Sequence, residues 1–100
     1  MYEVKETEGY RRWLDGLRDE RAQAKIASRM VRLAAGNPGD VKPAREGVSE
    51  LRIDYGPGYR VYFSRKGSIL LLLLCGGDKR TQSADIERAI LLNRGWKPEP

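Results

Sequence analysis

Hydrophobic and polar positions change period twice along this chain. Residues 2–5 alternate apolar and charged side chains, which predicts a short first strand. Thr7 then reads as an N-cap, and Tyr10, Trp13, Leu14 and Leu17 follow at helical spacing. Gly16, or the stretch after it, breaks that helix. Asp19 is placed to cap a second one, in which Ala22, Ile26, Met30 and Leu33 form an apolar stripe. Gly36 ends it, and residues 37–40, Asn-Pro-Gly-Asp, form a turn. From residue 49 the period becomes two. Leu51, Ile53 and Tyr55 share one face of a strand, and Glu50, Arg52 and Asp54 share the other. After the Gly56-Pro57-Gly58 turn, Tyr59, Val61 and Phe63 alternate with Arg60, Tyr62 and Ser64. Residues 69–74 are apolar without alternation. They predict a strand buried on both faces, with a short helix as the alternative. Thr81 or Ser83 caps a last helix whose buried stripe is Ile86, Ala89 and Ile90, and Gly95 stops it. The order is β-α-α-β-β-β-α, an α+β domain with an antiparallel meander sheet packed against helices. Residues 1–95 make the domain, and residues 96–100 a loose C-terminal tail.

Composition narrows the chemistry. The chain has 100 residues, enough for one domain with a single core. It contains no histidine, which excludes His-based triads and the common histidine zinc sites. One cysteine, Cys75, rules out an intramolecular disulfide framework and suits a reducing, cytoplasmic setting. Cys75 and Trp13 read as core residues. The first ten residues have no apolar signal-peptide core, and no apolar run is long enough to span a bilayer. No metal-ligand cluster occurs, and the glycines at 56 and 58 make a hairpin turn rather than a nucleotide loop, so no cofactor is expected. The net charge is +5, of which +3 falls in residues 37–80. That excess is compatible with nucleic acid or an acidic protein partner. Arg18, Arg21, Lys25, Arg29 and Arg32 recur every three or four residues beside the apolar stripe. They form either a solvated face or a docking face for an acidic protein.

Several separated motifs stand in one order: Trp13-Leu14 followed by Leu17, then GNPGDVKP at 36–43, GVSELR at 47–52, GPGYRVYF at 56–63 and LCGGDK at 74–79. Together they resemble the RelE/ParE toxin superfamily, and more narrowly its HigB-like addiction module killer proteins, over residues 2–93. The resemblance implies the toxin of a toxin–antitoxin operon. It implies a small helix-turn-helix antitoxin as partner, and either ribosome-dependent mRNA cleavage or, as in ParE, inhibition of gyrase. A decayed protein that only binds its antitoxin is the third possibility. The fold alone does not choose among them.

RNA cleavage of the implied kind uses the substrate's 2′-OH as nucleophile on the adjacent phosphate. The protein helps remove that proton, stabilises the phosphorane and protonates the 5′-oxygen leaving group. Arginine suits the phosphorane because its planar fork binds phosphate bidentately. Arg60 looks like the family's catalytic strand arginine, pointing out of the core. Its structural alternative is a surface arginine paired with Glu50 or Asp54. Arg80 fits the family's catalytic loop arginine, with Lys79 beside it after a Gly76-Gly77 turn, and Lys42 and Arg45 are further phosphate contacts. No general base is evident. Ile86 stands where RelE has tyrosine, and the C-terminal histidine of some HigB proteins is missing. Tyr62, sharing a strand face with Arg60, is a partial substitute, and Asp78 and Glu50 are weaker ones.

Overall fold

The computed structural model describes residues 1–98. Its elements are β1 (Glu3–Glu6), α1 (Glu8–Asp15), α2 (Glu20–Ala34), β2 (Val41–Pro43), β3 (Val48–Ile53), β4 (Tyr59–Lys66), β5 (Leu70–Asp78), a 3-10 turn (Lys79–Thr81) and α3 (Gln82–Gly95). The strands form one sheet in the order β1-β5-β4-β3-β2. The meander β3-β4-β5 is antiparallel, and β2 adds a short antiparallel edge. β1 joins the other edge parallel to β5, with Glu3 opposite Leu70 and Glu6 opposite Leu73. The α+β class and the meander are therefore as expected, with one strand more than the periodicity shows. Three residues, one of them Pro43, are too few to display alternation.

Both helix caps predicted at the amino-terminal end are present. The Thr7 hydroxyl accepts from Tyr10 N at 3.0 Å and also donates to Leu74 O at 2.6 Å, fastening α1 to the sheet. The Asp19 carboxylate accepts from Arg21 N and Ala22 N at the start of α2. Leu17 lies beyond the end of α1 yet still packs against the core.

The non-alternating run in β5 has the predicted cause. Leu71 and Leu73 enter a core with Tyr10, Leu14, Ile26 and Leu33 from α1 and α2. Leu72, Leu74 and Cys75 enter a second core, on the opposite face, with Ala89 and Ile90 of α3. A bulge makes this possible: Tyr62 pairs with Cys75 and Phe63 with Leu73, so Leu74 is the extra residue. Ile69, expected inside that strand, is instead 62% exposed in the turn before it.

Two further expectations are corrected. Gly76 and Gly77 do not form a turn; they continue β5. Their lack of side chains makes room for neighbours. A Cβ on Gly76 would meet the Trp13 ring, and one on Gly77 would collide with the Asp85 carboxylate and lie 2.9 Å from Thr81 Oγ1. Nor is the tail loose from residue 96 onward. Trp96 packs against the α3 core, and the Lys66 ammonium lies 5.7 Å from its ring centroid. Glu99 and Pro100, the end of that tail, lie outside the described residues.

Candidate functional site

The pleat places Glu50 and Arg52 on the sheet face that α3 only partly covers. β4 pairs with β3 so that Arg60 stands directly opposite Arg52, and Tyr62 opposite Glu50. Like charges opposite each other repel. Glu50 offsets them. One carboxylate oxygen accepts from Arg52 Nε at 2.9 Å and lies 3.7 Å from Arg60 Nε. The other accepts from Gln82 Nε2, in the first turn of α3, at 2.6 Å. Burial pushes the Glu50 carboxyl up. The bonds from Gln82 and Arg52 and the charges of Arg52 and Arg60 more than offset that, holding it below the usual range.

Arg60 is therefore not the outward-pointing side chain the alternation suggested. Its side chain is 12% exposed, and Nη1 donates to Gly58 O and Tyr59 O. The β3-β4 turn brings its neighbours in. Gly58 has φ +81°, and a Cβ there would lie 3.4 Å from Arg60 Nη1 and 3.5 Å from Lys79 Cβ. The result is an open cleft of about 380 Å³ lined by Asp40, Arg52, Asp54, Gly58, Arg60 and Lys79, among others. Arg52, Asp40 and Asp54 were absent from the sequence-derived set. The alternation had already placed Arg52 and Asp54 on one face, but not what that face would oppose.

The other sequence-derived residues fall in different places. Arg80 is 81% exposed and pairs with Asp78, whose carboxylate also caps the 3-10 turn by accepting from Arg80 N. It does not line the cleft. The side-chain bond from Arg80 leads in holding the Asp78 carboxyl below its usual range, which makes it a poor base. Tyr62 is fully buried, and its hydroxyl has no partner among the described residues. Burial, then the charges of Glu50 and Asp85, push that phenol well above its ordinary value. Tyr62 is thus removed from the candidate bases, because solvent and substrate do not reach it. Glu50, 1% exposed, is removed for the same reason. Lys42 is exposed on β2, in register with Glu50. Arg45 is ion-paired with Glu87 of α3 and does not line the cleft.

The basic stripe also divides. Arg18 precedes α2, whereas Arg21, Lys25 and Arg32 are exposed along it. Arg29 is not free to meet a partner: it donates to Arg52 O at 2.8 Å and Pro38 O at 3.0 Å, pinning the loop after α2 to β3. Cys75 is a core thiol, pushed up to about 11 by burial. Among the described residues no group of three or more side chains is arranged to hold a metal ion. No helix among them is long and apolar enough to cross a membrane.

No family model matches the chain. It is 50% identical over 90 residues to an uncharacterized protein from Haemophilus influenzae, a match covering 90% of this chain and 91% of that protein. Among solved structures it is similar to the toxin–antitoxin complex RelBE2 from Mycobacterium tuberculosis. There the TM-score is 0.63 at 23% identity, over 78% of this chain and 98% of the matched one. The likeness identifies the architecture as a RelE-like toxin fold.

Proposed function

We propose, for a chain that belongs to one family with the Haemophilus influenzae protein and has the RelE-like toxin fold, that it is a HigB-like toxin of a toxin–antitoxin pair and cuts mRNA on the ribosome in the cytoplasm. The observation that carries this reading is the convergence of Arg52, Arg60 and Lys79 on one open cleft. Arg60, held by Glu50 and two backbone carbonyls, presents Nη2 to a phosphate and stabilises charge on the phosphorane. Lys79 supplies a flexible ammonium that neutralises phosphate or protonates the 5′-oxygen. Arg80 and Lys42, exposed outside the cleft, contact neighbouring phosphates of the strand. The titratable proton acceptors lining the cleft are Asp40 and Asp54. An acidic antitoxin docks on Arg18, Arg21 and Lys25.

Inhibition of gyrase is the second reading. The burial of Tyr62 favours it, since a non-enzymatic toxin needs no base. Induction of the protein separates the two: translation stops first for an mRNA endonuclease, DNA replication first for a gyrase inhibitor. Removing a preorganised charge-stabilising donor costs about a hundredfold to a thousandfold in rate. Arg60→Ala therefore abolishes growth arrest and mRNA cleavage while antitoxin binding persists. Arg60→Lys restores little, because an ammonium lacks the fork. A folded Arg60→Ala protein that still cuts mRNA refutes the reading.

A further inference from the structure

We propose that Glu50 is the positioning residue of the cleft: its buried carboxylate holds the Arg52 and Arg60 guanidinium groups side by side, with their free N–H groups turned toward substrate. The proposal deepens, and rests on, the reading of the cleft as an RNA-phosphate site. Three observations meet at this one carboxylate. First, the β3-β4 register forces Arg52 and Arg60 into direct opposition, an arrangement that by itself drives the two side chains apart. Second, Glu50 faces both through their Nε atoms: Arg52 Nε donates a hydrogen bond to it at 2.9 Å, while Arg60 Nε, buried and without a hydrogen-bond partner among the described residues, is held in an ion pair at 3.7 Å. None of the Nη groups hydrogen-bonds Glu50 among the described residues. Arg60 Nη1 is taken by Gly58 O and Tyr59 O, while Arg60 Nη2 and both Arg52 Nη groups have no hydrogen-bond partner among the described residues. Those free donors are the ones that meet a phosphate. Third, Gln82 bonds the opposite oxygen of Glu50 at 2.6 Å. That bond ties the arginine pair to the start of α3, directly after the turn that carries Lys79 and Arg80.

At 1% exposure Glu50 touches no substrate, so its role is exerted through the arginines. A buried ion pair is a weak source of stability, and breaking one leaves an uncompensated charge behind. Its use here is geometric: without the carboxylate the two forks separate, and a displacement of about 1 Å at a reacting centre costs about a hundredfold in rate.

The test is Glu50→Gln, which keeps size and one acceptor oxygen for Arg52 Nε but removes the charge and turns the other position, which accepts from Gln82 Nε2, into a donor. Three quantities are read on the full chain. They are solvent exchange of the Arg60 Nε proton by ¹⁵N-resolved NMR, affinity for a non-cleavable 2′-O-methyl RNA oligonucleotide, and single-turnover cleavage of the matching RNA. The proposal expects a folded variant whose Arg60 Nε proton exchanges about tenfold faster or more. It expects RNA affinity that is unchanged or tighter, since a negative charge has left the site, and cleavage slower by about a hundredfold. A role in folding alone lowers binding and cleavage together, in proportion to the unfolded fraction, and that outcome overturns the proposal. Unchanged proton exchange in a folded variant also overturns it, as does cleavage at the wild-type rate. If Glu50→Gln does not fold, Gln82→Ala frees one carboxylate oxygen while keeping the charge. Arg60 Nε exchange must then rise severalfold, and no rise refutes the proposal. A wild-type protein that cuts no RNA ends the nuclease reading, while the exchange measurement still decides whether Glu50 positions Arg60.

Discussion

Gly76→Ala is the substitution whose effect the structure sets most tightly. Gly76 lies inside β5 and is buried, and its backbone is not left-handed, so alanine is conformationally acceptable there. The obstacle is Trp13. A Cβ at Gly76 would lie 2.5 Å from Trp13 Cδ2 and closer still to Cε3 and Cζ3. Carbon atoms in contact prefer about 3.5–4.0 Å, so the ring must retreat by about 1 Å or more. It has little freedom to do so, because it packs at 6.0 Å from the Tyr10 ring and edge-on at 6.3 Å from Tyr59. Overpacking of this kind costs about 1–3 kcal/mol, and the rigid ring puts Gly76→Ala at the upper end of that range. For a domain this size, about 2–3 kcal/mol lowers Tm by about 8–24 °C. A double-mutant cycle in urea isolates the cause. In a Trp13→Ala background the obstruction is gone, and Gly76→Ala becomes neutral or stabilising by about 0.4–1 kcal/mol through reduced unfolded-chain entropy. The coupling is then about 2 kcal/mol or more. An equal cost in both backgrounds refutes the collision as the reason for glycine at this position.

Other outcomes follow from the same geometry. The depressed Glu50 pKa contributes stability that is fully present above the ordinary carboxyl value of 4.5 and lost as pH falls through the lower folded value. Acid titration of Glu50→Gln, followed by circular dichroism, should therefore fall less steeply below that pH than the wild type. Thr7→Ala removes both the α1 cap and the bond to Leu74 O, and should cost about 1–2 kcal/mol in urea melts. Arg21→Glu with Lys25→Glu should weaken an acidic antitoxin and flatten the salt dependence of its binding by calorimetry, with the melt lowered only by the about 0.5–1 kcal/mol of the lost contact between the Lys25 ammonium and the Tyr55 ring. Arg29→Glu, by contrast, should lower the melting temperature itself, because Arg29 holds the carbonyls of Pro38 and Arg52. Equal melting temperatures for Arg29→Glu and the wild type contradict that assignment.

Local periodicity was sufficient for most of the architecture. Thr7 and Asp19 announce helix starts because short polar side chains satisfy orphan backbone donors, a property independent of distant contacts. The unalternating leucines of β5 announce burial on both faces, since no single apolar layer accounts for them. The polar face of β3, with Glu50 and Arg52, was equally legible.

What that face opposes depended on register, which is a pairing between strands and not a property of either strand. Only the β3-β4 alignment sets Arg60 against Arg52, and only the docking of α3 brings Gln82 to Glu50 and closes Tyr62 off from solvent. The alternation showed that Arg60 leaves the α1–α2 core, but a strand's second face is open or covered according to elements far along the chain. The Gly76-Gly77 pair misled for a similar reason. Glycine signals a turn when the backbone needs its freedom, and a close approach when a neighbour needs its space. The neighbours here, Trp13 and Asp85, are 63 and 8 positions away in sequence. Sequence alone determined which residues carry charge and which face each occupies. The tertiary structure decided which of those charges share a cleft, because burial and cross-strand distance exist only once the sheet and α3 have closed together.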